Sequence, residues 1–368
     1  MPRYGWVKPV SDRRLSDLVA VRVLTRVFPP HLVDEVIAAT GRTEQRNRSL
    51  PARLTAYFVM GMALYSEGSY EDVLGLLTDG LAWASGWQER FTLPSKSAIF
   101  QARVRLGAEP LEALFTRVAR PLGTPGTPGV WLSGRRLVAI DGACLDVADT
   151  PANEEFFGRP NVAKGEKSAF PQARIVAVAE CGTHAILDAV VGACATSEAA
   201  LADELIGRLQ PGSLLLAEGG FSSYALWNKA IGTGADLLWR ARTDLLLEHR
   251  RTLEDASWLG LLRPGGEKNA EPIIVRVIDH TVEDARETPE PYRLFTTILD
   301  PQKASATDLA AAYIGRWEIE RALDELKTQQ RGPRTVLRSK SPELVLQEIW
   351  GSLCCHYAIR ALMAEVDA

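Results

Sequence analysis

The spacing of apolar positions divides the chain into a helical first third and a longer part in which strands and helices alternate. Between residues 10 and 120, "HLVDEVIAAT" carries a helical period stopped by Gly41, and "LPARLTAYFVMGMALY" is apolar nearly all round, as a buried helix would be. "SYEDVLGLLTDGL" opens with Ser69 and Asp72 at the spacing of a capping box, and "PSKSAIFQARVRLG" predicts a further helix ending at Gly107. "PLGTPGTPG" at 121–129 reads as a linker. Beyond it the period falls to two: "RRLVAIDGACLDVAD" is one strand, and "ARIVAVAECGTHAILDAVVG" is two strands about a tight turn. "GSLLLAEGGF" and "ADLLWRAR" are short buried strands set among the helical patterns "SEAALADELIGRL" and "SSYALWNKAIGTG".

Three strands in a meander followed by helix, strand, helix, strand predict a mixed α/β sheet with flanking helices. Residues 245–300 interrupt that order with strand-like pieces, "EPIIVRVIDHTV" and "PYRLFTTILD", and read as a β-rich insertion. One helix is then expected from Ser305, spaced to Asp308 as a capping box, to just before Gly332 and Pro333. A last helix follows, with Ser341 as N-cap and Pro342 at its first position. The expected division is 1–120 as an all-α N-terminal domain, 121–130 as linker, 131–244 with 301–368 as the sheet domain, and 245–300 as its insertion. At 368 residues, more than one core is expected.

Composition narrows the class. With 46% hydrophobic and 24% charged residues, no apolar run of membrane-spanning length and no signal-like start, the chain reads as a globular cytoplasmic protein. Five cysteines without CxxC or His-spaced partners suggest neither a disulfide framework nor a zinc site. The net charge of −4 is uneven, since residues 1–125 hold 16 Lys and Arg against 12 Asp and Glu, leaving a surplus of eight acids in the remainder. "KTQQRGPRTVLRSK" contains Lys327, Arg331, Arg334, Arg338 and Lys340 and no acid, a stripe suited to phosphates. In the helical domain Lys96 and Arg103 lie seven apart with Arg105 nearby; this helix is either a groove-entering DNA reader or a plain surface helix.

The chemistry concentrates in three acids. Asp141 ends "LVAID", Glu218 ends "LLLAE", and Glu320 lies on the predicted helix of "YIGRWEIERALDELK". At about 100° per residue, Tyr313, Arg316, Glu320 and Lys327 fall on one narrow strip of that helix. Acids at two strand ends facing a third on a helix can converge on hard divalent cations, with Arg316 and Lys327 left to hold phosphates and Tyr313 to bond or stack on the same strand.

The Tyr-x2-Arg-x3-Glu-x6-Lys spacing resembles the signature of bacterial insertion-sequence DDE transposases of the insertion element four type. "SLPARLTAYFVMGMALY" and "PSKSAIFQARVRLGAEPLEALF" look like that family's amino-terminal domain, while "DTPANEEFFGRPN", "FPQARIVAVAECGTHAI" and "VLRSKSPELVLQEIWG" look like its catalytic domain. The resemblance implies a ribonuclease-H-like core with Asp141, Glu218 and Glu320 as catalytic and metal-holding acids, and two Mg2+ or Mn2+ ions as cofactor. It implies double-stranded DNA, transposon ends and target, as partner, a homodimer on paired ends, and residence at the nucleoid. It also implies that the insertion helps process ends, where Trp258 is either a base-stacking or a core residue. One departure stands out: the family's second acid is normally Asp in a Leu-Ala-Asp-Arg-Gly-Phe kind of motif, whereas this chain reads "LLLAEGGF". The extra methylene shifts the carboxylate by about 1.5 Å, so an impaired, DNA-binding derivative is the alternative to an active enzyme. A glycosidase acid pair leaves Arg316, Lys327 and the basic stretch without a role.

Overall fold

The computed structural model describes residues 15–46, 50–85, 93–161, 167–264, 271–281, 291–329 and 336–366, which fall into two compact units. The first holds the helices α1 (Leu15–Val27), α2 (Pro30–Ala39), α3 (Ala52–Leu64), α4 (Tyr70–Ser85), α5 (Lys96–Leu106) and α6 (Glu109–Val118), together with Glu343–Leu362 of the final helix, Pro342–Val366. The capping box at α4 forms as the spacing predicts, with the Asp72 amide donating to Ser69 Oγ at 3.2 Å and the Ser69 amide donating back to Asp72 at 3.0 Å. Helix α3 is buried from Thr55 to Ala63, which explains its uniformly apolar sequence.

Residues 343–362, within the segment expected to belong to the sheet domain, pack with the N-terminal helices. Along this stretch the final helix buries Val345, Ile349, Leu353 and Cys354, so it needs apolar neighbours on several sides. Gly351 lets it approach α3, since a Cβ there would lie 2.6 Å from Val59 Cγ1 and 3.1 Å from the Val59 carbonyl oxygen. Trp350 packs against Phe115 of α6 with ring centroids 5.7 Å apart. Gln347, fully buried, accepts from Arg103 Nε at 2.8 Å and donates to the carbonyls of Arg103 and Gly107 at 3.0 and 2.6 Å.

The second unit is built on one mixed sheet. Its strands are β1 (Trp131–Leu132), β2 (Arg135–Asp146), β3 (Gln172–Glu180), β4 (Ile186–Ala193), β5 (Ser213–Ala217), β6 (Asp236–Arg240), β7 (Leu247–Thr252), β8 (Trp258–Leu262), β9 (Ile273–Thr281) and β10 (Pro291–Thr296). They lie in the order β4-β3-β2-β5-β6-β10-β9-β8-β7, with β1 paired to β2. β2, β3 and β4 form the antiparallel meander, and β5 and β6 run parallel to β2, as expected of a ribonuclease-H-like core. The β-rich segment is not a separate layer: β10 pairs antiparallel with β6, so the insertion extends the same sheet.

Helices α8 (Glu198–Ile206) and α9 (Tyr224–Ile231) cover one face, where Val138, Ile140, Val176, Leu201, Leu205, Leu215, Trp227, Trp239 and Phe295 share a core. Trp258 belongs to the same cluster, its Nε1 donating to Asp279 at 2.9 Å, which is the core alternative for this residue. α7 (Pro151–Phe157) follows β2. The expected linker is clasped to the sheet, for the amides of Leu122 and Gly123 donate to the buried Glu180 carboxylate at 2.9 and 2.8 Å. No helix among the described residues is long and apolar enough to cross a membrane.

Gly351→Ala is expected to destabilise the protein by about 1–3 kcal/mol through overpacking, read as a lower denaturation midpoint. An unchanged midpoint would deny the close packing of the final helix on α3.

Candidate active site

Strand register brings the first two acids together. Ile140 of β2 pairs with Ala217 of β5, so the next residue on each parallel strand is Asp141 or Glu218. Ala217 pairs in turn with Trp239 of β6, and the residue after it is Arg240. Where β5 and β6 end, three adjacent strands therefore carry an acid, an acid and a cation, with Asp141 midway along the longer β2, which runs on past them beside β3.

The third acid arrives on the segment after the insertion, which is not the single helix expected from the sequence. It runs as α10 (Ala306–Ile314), then α11 (Trp317–Asp324), then one π-helical stretch, Glu325–Gln329. At the break, Gly315, Arg316, Glu318 and Ile319 donate to carbonyls three residues back, a tightened turn that takes Arg316 off a continuous strip. The break is held against the β3–β4 turn, where Cys181 Sγ donates to the Gly315 carbonyl at 3.6 Å and the Gly182 amide donates to Glu318. Gly182 has φ +83°, and a Cβ on it would collide with the Pro128 carbonyl at 2.3 Å, so this turn requires glycine.

Arg316 is the centre of the constellation. Its side chain is 3% exposed, with Nη2 2.9 Å from Glu218 Oε1, Nη1 2.8 Å from Glu320 Oε1 and Nη1 3.9 Å from Asp141 Oδ2. Burial works against its charge, but the bond to Glu320 and the nearby Glu218 outweigh it, raising the pKa and keeping the group cationic. Nε has no hydrogen-bond partner among the described residues. The arrangement brings together Asp141, Glu218 and Glu320 around one guanidinium. Burial pushes the Asp141 carboxyl up to about 6, against the pull of the Gly142 amide and Arg316, with Glu320 and Glu198 adding in the upward direction.

The remaining expected residues divide. Tyr313 is buried, and its hydroxyl donates to the Ala217 carbonyl at 3.3 Å, which raises its pKa through burial. It braces the end of β5 beneath Glu218. Lys327 lies half-buried in the π-helical stretch, while Arg331 and Arg334 fall outside the described residues. Arg338 and Lys340 sit on a strap joined to β2, since the Leu337 amide donates to the Asp146 carbonyl at 2.8 Å and Thr150 Oγ1 donates to the Lys340 carbonyl at 3.1 Å. In the helical unit Lys96 is exposed and Arg105 pairs with Glu44 at 3.1 Å. Arg103 is buried, bonded to Gln347, the Leu344 carbonyl and Tyr70, so in this structure its guanidinium serves packing.

Arg240 was missed by the sequence reading. It lies 3.8 Å from Glu218 Oε2 and over the Tyr292 ring at 5.6 Å. The signal was present, because "LLWR" ends in a charge after an apolar run just as "LVAID" and "LLLAE" do.

The family model for the transposase DDE domain matches residues 132–358, and that for the insertion element 4 transposase N-terminal region matches 18–116. The chain belongs to the DDE transposases of the insertion element 4 family. Transposase InsG for insertion sequence element IS4, from Escherichia coli strain K12, is 29% identical over 340 residues, covering 92% of this chain and 75% of that protein. InsZ of the same strain is 28% identical over 225 residues, 61% of this chain and 72% of its own length. Among solved structures, the piggyBac transposase synaptic complex with hairpin DNA, determined by cryo-electron microscopy, matches with a TM-score of 0.51 at 11% identity, over 95% of this chain and 75% of that one. At that identity the likeness concerns the fold, and it supports the ribonuclease-H-like assignment for this family member.

Because the Asp141 carboxyl is raised above its ordinary value, its ionisation costs stability in the folded protein. That cost is absent below about pH 4, develops between about 4 and 6 and is complete above 6. Asp141→Asn is therefore expected to raise the metal-free denaturation midpoint at pH 8, by on the order of 1–3 kcal/mol, and to leave it unchanged at pH 4. Equal midpoints at pH 8 would contradict this.

Proposed function

We propose that this chain is a transposase that cuts and joins DNA at the ends of its own element, with Asp141, Glu218 and Glu320 holding two divalent cations, Mg2+ or Mn2+. The observation that carries the proposal is the convergence of three acids, remote in sequence, on the buried Arg316. The donor set fits hard cations: it offers carboxylate oxygens, and neither Cys nor His takes part. As they stand, no three metal-binding side chains among the described residues are close enough to share one ion, for the guanidinium lies between them. All three carboxylates lie within 4 Å of the Arg316 guanidinium, and Arg240 lies at the rim, 3.8 Å from Glu218. Two such ions, when bound, would activate water or a 3′-hydroxyl and stabilise the leaving oxygen of an in-line displacement.

The chain's own residues orient that reaction. Asp141 is fixed by the Gly142 amide at 2.7 Å, and Tyr313 holds the end of β5 so that Glu218 faces Arg316. Lys327, Arg338 and Lys340, with Arg331 and Arg334 of the same stretch, would hold phosphates beside the acids, and Lys96 and Arg105 would do so from the helical unit. Double-stranded DNA is the partner, and a homodimer would pair two ends.

A second reading is a DNA-binding derivative with weakened chemistry, favoured by Glu218. Its longer arm reaches Arg316 at 2.9 Å, and a misplacement of about 1 Å in a working site can cost roughly a hundredfold in rate. The test is Mg2+- or Mn2+-dependent nicking of a duplex bearing the terminal repeats that flank the coding sequence. Active wild type, with Asp141→Asn and Glu320→Gln reduced at least about a hundredfold, supports the first reading. Inactive wild type rescued by Glu218→Asp supports the second. Nicking by none of these, with the end duplex still bound, defeats the first reading and leaves the DNA-binding derivative; metal-independent nicking, or no binding of the duplex, defeats both.

A further inference from the structure

We propose that α5 is the base-reading helix, with Phe100 and Val104 packing on thymine methyl groups and Gln101 hydrogen-bonding an adjacent adenine in the major groove of the DNA end. The proposal rests on the transposase reading for the existence of a DNA partner, and on the helix itself for what is read.

α5 has a fixed inner face and an unusual outer one. Ile99, Ala102, Arg103 and Leu106 are buried, and Arg103 locks the rotation of the helix through bonds to Tyr70, to Gln347 and to the Leu344 carbonyl. The start is set by Ser95, whose Oγ accepts from the Ala98 amide at 3.3 Å. The opposite face presents Lys96, Ser97, Phe100, Gln101 and Val104. Phe100 is 48% and Val104 41% exposed, one turn apart, and Leu93 just ahead of the helix is 44% exposed. Among residues 21–46, 50–80 and 93–117, no other large apolar side chain is so exposed.

This pattern suits one kind of surface. A solvated helix gains nothing from a second apolar pair, Phe100 and Val104, on its outer face, and a seam for a partner helix would not interleave them with Ser97 and Gln101. A major groove offers both chemistries on neighbouring base pairs. Thymine presents a methyl group, adenine presents N7 and an amino group that a glutamine side chain can bond bidentately, and the groove is wide enough for a helix. The charge agrees with a polyanion: Lys96 opens the helix with its side chain 74% exposed, and the first 125 residues carry the chain's surplus of cations. A second copy of this unit, carrying the same surplus, would meet it with like charge.

The experiment uses the full chain and a library of randomised duplexes, selecting bound sequences for wild type, Phe100→Ala, Gln101→Ala and Val104→Ala. All three substituted positions lie on the surface, and equal denaturation midpoints would establish that the variants fold. Wild type is expected to select a motif containing A·T pairs. Replacing one or two of its thymines by deoxyuridine should weaken wild-type binding by about fourfold each, the worth of a buried methyl group, with no further loss in Phe100→Ala or Val104→Ala. Gln101→Ala should lose discrimination at the neighbouring adenine. Variants that select the wild-type motif with wild-type affinity overturn the inference, as does wild-type binding without sequence preference. In either case metal-dependent nicking by the wild type leaves the transposase reading standing. If Phe100→Ala instead abolishes self-association while DNA selection is unchanged, α5 is a protein interface and the proposal fails.

Discussion

A guanidinium buried among three carboxylates is the constraint on which the catalytic unit depends. A cation with 3% of its side chain exposed is costly unless its donors are met, and Arg316 meets Glu218 and Glu320 at hydrogen-bond distance and Asp141 at 3.9 Å. The acids in turn repel one another without it. Each therefore fixes the others, and the elements that carry them must arrive in one arrangement: β2 and β5 parallel in their register, and α11 across their ends.

Several details are consequences. The helix breaks at Gly315 and Arg316, with Tyr313 before the break bonded to the Ala217 carbonyl and Arg316 at the break seated between the acids. The glycine turn between β3 and β4 then anchors that break through Gly182 and Cys181. The insertion enters the same system through β10, since Tyr292 lies under Arg240 and beside Tyr313, with ring centroids 5.8 Å apart. Glu218 fits this frame as a ligand of arginines.

Asp141 and Glu218 were legible because a carboxylate directly after a run of apolar residues has no place inside a core. Glu320 was legible from the strip it shares with Tyr313, Arg316 and Lys327. The continuity of that strip was not, since a kink held by hydrogen bonds to a distant turn leaves no local mark beyond Gly315. β7, Leu247–Thr252, escaped because an edge strand exposed on both faces has no alternation to read. Arg103 looked like a surface cation because its partners, Gln347 and Leu344, are more than two hundred residues away, and the same distance hid the attachment of the final helix to the first unit.

The most direct measurement is anomalous scattering from crystals of the chain grown with Mn2+. Manganese peaks bounded by the carboxylates of Asp141, Glu218 and Glu320, with the Arg316 guanidinium drawn back from them, are the predicted result. An empty acid centre at saturating Mn2+, with Arg316 still seated among the three, would contradict the account.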